Sequence, residues 1–189
     1  MKPFRRIIFL LTLTSILLAA CAGTSAGVAQ SNRAREKNPD VNEADLQALV
    51  DGNNAFALEL YQSLRSQGGN LILSPFSISL ALAMTYSGAR GETEAQMADV
   101  LHLGPQEQTH PTFNALDSAL EKSPIVLDKD QEPIQLNIAN SVWAEQTFTF
   151  LPDFLDTLSV NYGAGIHLLD FINKPEPSRK EINDWVSNE

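Results

Sequence analysis

Cysteine is nearly absent. Cys21 is the only one in 189 residues, so no disulfide can form within the chain. Positive charge is scarce too, with 13 Lys and Arg against 23 Asp and Glu. Three of those cations, Lys2, Arg5 and Arg6, stand at the N-terminus; without that leader the formal charge falls from −10 to −13. An acidic domain of this kind is a poor partner for nucleic acid or anionic lipid. Metal-ligand spacing is missing. His102, His110 and His167 form no H-E-x-x-H pair and read as a helix end, a loop residue and a strand residue. Asp128, Asp130 and Glu132 resemble the start of a calcium loop, but Pro133 stands where the turn glycine is needed. A solvated acidic loop is the expectation, with no metal and no cofactor.

Charge is missing altogether between Arg65 and Arg90. A run that long invites a membrane reading, since a spanning helix needs roughly 20 apolar residues. Gln67, Gly68, Gly69, Asn70, Ser74, Ser77 and Ser79 spoil it, and Pro75 splits its apolar part in two. Leu71 to Leu73 is short and β-permissive. Ser74-Pro75 is a helix start: the serine can accept an orphan amide, and proline is tolerated at the first helical position. Phe76 to Met84 is apolar on nearly every face, as in a helix buried inside a sizeable protein. Thr93 and Gln96 have capping-box spacing, Met97, Val100 and Leu101 give a helical stripe, and Gly104-Pro105 follow as a stop.

The N-terminus has the shape of a secretory signal, with cations followed by an apolar stretch from Ile7 to Leu18 that is short for a membrane span. It ends in Leu18-Ala19-Ala20-Cys21, which resembles the lipobox of bacterial lipoproteins. That resemblance implies cleavage before Cys21 and a diacylglyceryl thioether on its sulfur; an ordinary signal peptide that happens to hold a cysteine is the other reading. Ala22 to Asp45 is rich in small and polar residues and reads as a flexible tether, reaching roughly 25–30 Å. Gly23-Thr24-Ser25-Ala26-Gly27 is a literal G-x-S-x-G, but it lies in that tether without the strand and helix a nucleophile elbow needs. No enzyme activity is expected.

Farther on, Leu49, Phe56, Ala57, Leu60 and Leu64 share a helical face, stopped by Gly68-Gly69. Thr112 to Glu121 is a weaker helix, and Ser123 to Pro133 a loop. Ile134, Leu136, Ile138 and Val142 alternate with polar neighbours as a half-buried strand does. Asn140 falls on the apolar side of that alternation, so its parity predicts a buried amide in need of partners. Leu151-Pro152 opens a helix with Phe154, Leu155, Leu158 and Tyr162 inward and Gly163 closing it. Ile166 to Phe171 is a second strand. Ser178 and Glu181 have capping-box spacing ahead of Ile182, Trp185 and Val186. Two strands among so many helices make a marginal sheet.

Several of these motifs together resemble the opening part of a serpin domain. They are Asn70-Leu71-Ile72-Leu73-Ser74-Pro75-x-Ser77-Ile78, Gly88-Ala89-x-Gly91-x-Thr93-x-x-Gln96-Met97, Ala139-Asn140-Ser141-Val142-Trp143, Leu151-Pro152-x-Phe154, Tyr162-Gly163-Ala164 and Ile182-Asn183-x-Trp185-Val186. The resemblance covers about Leu46 to Glu189. It implies an α+β serpin fold, N-terminal portion only, with helices A to F and strands of sheets A and B. The domain plan is then a lipoprotein signal over 1–20, a lipidated Cys21 and tether over 21–45, and a serpin part over 46–189 that stops within helix F.

By the same resemblance the protein is a suicide inhibitor of serine or cysteine proteases, anchored by lipid outside the cytoplasm in a bacterial envelope. Ser74, Ser77 and Asn140 match the family's shutter, the gate through which the cleaved reactive loop enters sheet A. The reactive-loop motifs have no match here, so no scissile bond is assigned and these residues alone are expected to be inactive. Pro111 to Lys122, where some serpins bind heparin-type polyanions, offers only Lys122 as a cation. A non-inhibitory serpin, serving as a lipid-anchored binding or chaperone-like protein, is the alternative.

Overall fold

The computed structural model describes residues 27–122 and 138–189. Cys21, the 123–133 loop and its acidic residues, and Ile134 to Asn137 lie outside the described residues.

Helix α1 (Glu43–Leu64) begins at Asn42, whose side chain accepts from the Asp45 amide, and buries Leu49 and Phe56 as its periodicity predicts. Helix α2 (Pro75–Tyr86) begins at Ser74 and runs through the centre, with Ala83 and Met84 almost without exposure. Helix α3 (Glu92–Leu101) is followed by α4 (Gln106–Lys122), which holds Pro111 in its interior and buries Phe113 completely. Leu49, Leu80, Ala83 and Phe113 form the helical core, joined by Phe76, Ile138 and Tyr162.

Strand β1 (Gly27–Ala29), β2 (Val142–Glu145) and β3 (Ile166–Leu169) form a sheet in the order β1-β3-β2. Helix α5 (Pro152–Tyr162) connects the parallel pair β2 and β3. Gly163, at φ 62°, ends α5 in the left-handed region that glycine adopts without a Cβ clash. One sheet face packs Val142, Ala144, Ile166 and Leu168 with Leu158 of α5 and Met84 of α2 into a second core. On the strand positions between them, Trp143 stacks on His167 with centroids 4.3 Å apart. Trp185, from α6 (Pro175–Asn188), meets the edge of Trp143 at 6.2 Å. The sheet is therefore a middle layer.

Several expectations change. The stretch taken as a free tether is docked over much of its described length: Gly27–Ala29 pairs antiparallel with β3, and α1 already starts at Glu43. Composition misled here, because a short edge strand needs backbone groups and little else. Leu71 to Leu73 is no strand, and Ile72 is 95% exposed. Neither capping box forms. Helix α3 starts one residue before Thr93, at Gly91-Glu92, and Gln96 donates to the Glu92 carboxylate. Helix α6 starts at Pro175, and Ser178 instead donates to the Asp170 carbonyl. Val100 and Val186 are exposed although they continue their stripes. Helix α4 starts at Gln106 rather than Thr112, which places His110 inside a helix and not in a loop. Among the described residues, the first expected strand is paired from Val142 onward, and the second ends at Leu169.

Candidate functional site: the polar floor beneath the sheet

Ser74 caps α2, its Oγ lying 2.8 Å from the Ser77 Oγ and accepting from the Ser77 amide at 3.4 Å. Ser74 is exposed and Ser77 half-buried. Two residues after Ser77, Ser79 is fully buried and its Oγ has no partner among the described residues. Asn140 stands two residues before β2. Its residue is half-buried, but the Nδ2 is sealed from solvent and has no partner among the described residues. No hydrogen bond joins Asn140 to either serine among the described residues. What connects them is α2: Leu80 and Met84, on later turns of that helix, line a cavity of about 90 Å³ together with Asn140, Tyr162, Asp117 and Arg35.

Arg35 enters that cavity from the docked arm. Its Nε donates to Asn114 Oδ1 at 2.8 Å and its Nη2 to Asp117 Oδ2 at 2.6 Å, with the Glu121 carboxylate 3.8 Å from Nη1. Asn114, fully buried, donates to the carbonyls of Glu36 at 2.7 Å and Val160 at 3.4 Å. The Glu36 amide bonds to the Val160 carbonyl at 2.9 Å, and Ser31 and Arg33 both reach Asp156. Those hydrogen bonds hold the Asp156 carboxyl below the usual carboxylate range, Ser31 first and the Arg33 contact after it. The arm is thereby clamped between α4 and α5. None of Arg35, Asn114 and Asp117 stood out in the sequence. The usable signal was the i, i+3 pairing of Asn114 and Asp117 on the face of α4 that also carries Phe113.

A second polar pair lies close by. His110 Nδ1 is 2.6 Å from the Tyr162 hydroxyl. Burial, and after it the charge of Arg90, pushes His110 down to about 4. Burial also pushes the Tyr162 phenol up. The phenol stays protonated and can donate to Nδ1, which leaves the imidazole proton on Nε2, where no partner is found. His102 ends α3 in the left-handed region and contacts Glu59 at 3.1 Å, while His167 lies in β3. The three histidines are far apart in role, and no cluster of three His, Cys, Asp or Glu fit for a metal occurs among the described residues.

Taken together these groups offer no nucleophile, base and oxyanion donor in one place. They form a packed polar floor with one paired half and one unpaired half. The family model for Serpin (serine protease inhibitor) matches residues 51–189. Leukocyte elastase inhibitor A of Mus musculus is 38% identical over 146 residues, which are 76% of this chain and 37% of that protein. Leukocyte elastase inhibitor of Xenopus laevis is 38% identical over 136 residues, 71% of this chain and 34% of that protein. Among solved structures, Serpin48 of the insect Tenebrio molitor, described as a highly specific serpin, superposes with a TM-score of 0.61 at 27% identity, covering 75% of this chain and 37% of that one. The chain thus spans little more than a third of the length of these relatives.

Proposed function

The chain belongs to the serpin family, and we propose that the protein inhibits serine proteases by the family's spring-loaded route, held outside the cytoplasm by a diacylglyceryl group on Cys21. In that route the protease serine attacks a reactive-loop carbonyl, the amine side of the bond leaves, and the acyl-enzyme is carried away as the freed loop joins sheet A as a new strand. Strand addition satisfies a row of backbone donors and acceptors, which drives the change. β2 and β3 are strands of the sheet that grows.

The elastase-inhibitor relatives favour protease inhibition over a purely structural role. One observation favours Ser74, Ser77 and Asn140 as the gate: the Asn140 amide nitrogen is buried without a partner above the helix that Ser74 caps. An unpaired buried donor costs about 1–3 kcal/mol. A polar site left half-made in the resting state, and completed when the sheet opens and repacks, suits a gate better than a fixed brace.

The test is covalent trapping. The complete reading frame, incubated with a panel of elastase-like, trypsin-like and subtilisin-like proteases, is expected to give an SDS-resistant adduct with at least one. Residues 1–189 alone are expected to give none, because the motifs they match lie ahead of the reactive loop in the family. Reversible binding without any adduct from the complete protein would replace inhibition by the non-inhibitory, binding-protein reading.

A further inference from the structure

The arm, the sheet and two loops share one end of the molecule. β2 and β3 run parallel, with Glu145 opposite Leu169, so both strands finish at the same end. β1 runs against β3, and its first residue, Gly27, pairs with Leu168. The chain therefore enters the fold at the end where β2 and β3 leave it. Three large apolar side chains stand there in solvent. Phe148 (63% exposed) and Leu151 (74%) are in the segment after β2, and Ile172 (68%) is in the turn after β3.

Their placement is fixed. The buried Glu145 carboxylate accepts from the Thr147 amide at 3.3 Å with one oxygen and from the Ile172 amide at 3.2 Å with the other. The Phe148 amide closes a turn onto the Glu145 carbonyl at 3.0 Å, and the Gln146 amide bonds to the Leu169 carbonyl at 2.9 Å. One carboxylate thus ties together the two loops that present the apolar side chains. A buried acid spent on holding greasy loops outward is unusual for a surface meant only for water.

We infer that this end of the sheet rests on the lipid bilayer that holds the protein's own anchor, with Phe148, Leu151 and Ile172 dipping into the interface. The inference rests on the reading of Cys21 as the lipidated residue. Six residue steps separate Cys21 from Gly27, so even fully extended the link reaches only about 20 Å. With β1 docked, the body cannot stand off the surface, and the end that meets the link is the apolar one. Asp153 and Asp170 lie in the same loops and helix start, so the surface it fits is zwitterionic rather than anionic.

The experiment uses the lipidated protein in phosphatidylcholine vesicles. Because Cys21 is the only cysteine, Phe148→Cys, Leu151→Cys and Ile172→Cys each add one free thiol for an environment-sensitive dye. The exposed Ile72→Cys and Val100→Cys, on other elements, serve as controls. Blue-shifted emission and loss of iodide quenching are expected at 148, 151 and 172 on vesicle binding, and at neither control. Phe148→Ser combined with Ile172→Ser is expected to return the 151 dye towards its aqueous emission while the lipid stays attached. Aqueous emission at all five positions would overturn the inference. Protection at 148 and 172 without vesicles would overturn it too, showing a protein surface there, a second copy if the effect depends on concentration. Mass spectrometry of the N-terminal peptide separates the two claims. A diacylglyceryl cysteine with aqueous dyes sinks only the docking surface, whereas an unmodified Cys21 sinks the anchor and the docking surface with it.

Discussion

Arg35 and Asn140 border the same small cavity, and they have opposite fates. Arg35 spends its guanidinium on Asn114 and Asp117 with Glu121 nearby, so the arm that carries it is locked to α4. Asn140 keeps a buried nitrogen that has no acceptor among the described residues. The paired side is a seam that stabilises one arrangement. The unpaired side is a point where the resting state is not at its own optimum. The proposed route, in which a sheet is held and later rearranged, would draw on both, and here they border one pocket.

The seam should break hardest. Arg35→Ala removes the partner of a mostly buried carboxylate and of a fully buried amide, an expected loss of about 3–4 kcal/mol. Urea unfolding would show it as a fall in midpoint, and hydrogen exchange as lost protection over residues 27–36. Arg35→Lys should recover only part, since a point charge cannot span Asn114 and Asp117 as the planar fork does. Unchanged stability in both variants would mean that the arm is held by its other contacts, the Glu36 backbone bond and the side-chain bonds of Ser31, Arg33 and Asn114.

Next in size is the effect of acid. His110 sits at about 4 in the folded chain because burial disfavours its charged form, against an ordinary value near 6.5. Between those values the unfolded chain binds a proton and the folded chain does not, so acid favours unfolding. Stability from this group is full above pH about 6.5, falls as pH drops towards 4, and is flat below. The span is up to about 3 kcal/mol. His110→Phe should flatten that slope in a stability-versus-pH series, at the expense of the Tyr162 hydrogen bond.

These contrasts also explain what could be read from the sequence. The helices carrying Leu49, Phe56 and Leu158, and the parallel strands around Val142 and Ile166, were legible because burial leaves a periodic trace. Ser74 as a cap was legible because the signal is local. The seam was not. Arg35 is one cation in a stretch of small polar residues, and its partners lie 79 and 82 positions away. Pattern reading has no access to a contact of that separation, and low hydrophobicity by itself does not mean freedom. The capping boxes failed for the opposite reason. Thr93 and Ser178 had the right spacing, but a nearby glycine and a lysine-proline step started the helices earlier.

A smaller effect tests whether β1 and the Arg35 clamp are one unit. Gly165 lies where a Cβ would come within 2.8 Å of Val28 Cγ1 and 2.9 Å of Gln30 Cβ. Gly165→Ala should therefore push β1 off the edge of β3, a loss of about 1–2 kcal/mol. If clamp and strand act together, exchange protection will fall from residue 27 through residue 36. If protection is lost only at 27–30, Arg35 holds its segment independently.

The smallest effect has the opposite sign, which makes it the sharpest. Asn140→Leu removes an unpaired buried amide and puts an apolar group of similar size beside Leu80, Met84 and Ile138. Replacing an amide whose buried nitrogen makes no bond among the described residues with a side chain that packs should stabilise the chain by about 1 kcal/mol. A brace would behave otherwise: removing it would destabilise by a similar amount, because its partners would be stranded. If the proposed trapping route holds, the same substitution in the complete protein should shift the outcome of protease attack from trapped adduct towards cleaved, released inhibitor, since a more stable closed gate would slow insertion while deacylation proceeds unchanged. The ratio of adduct to cleaved inhibitor on a denaturing gel reads this directly. Stabilisation without any change in that ratio would leave Asn140 a packing defect and remove it from the gate.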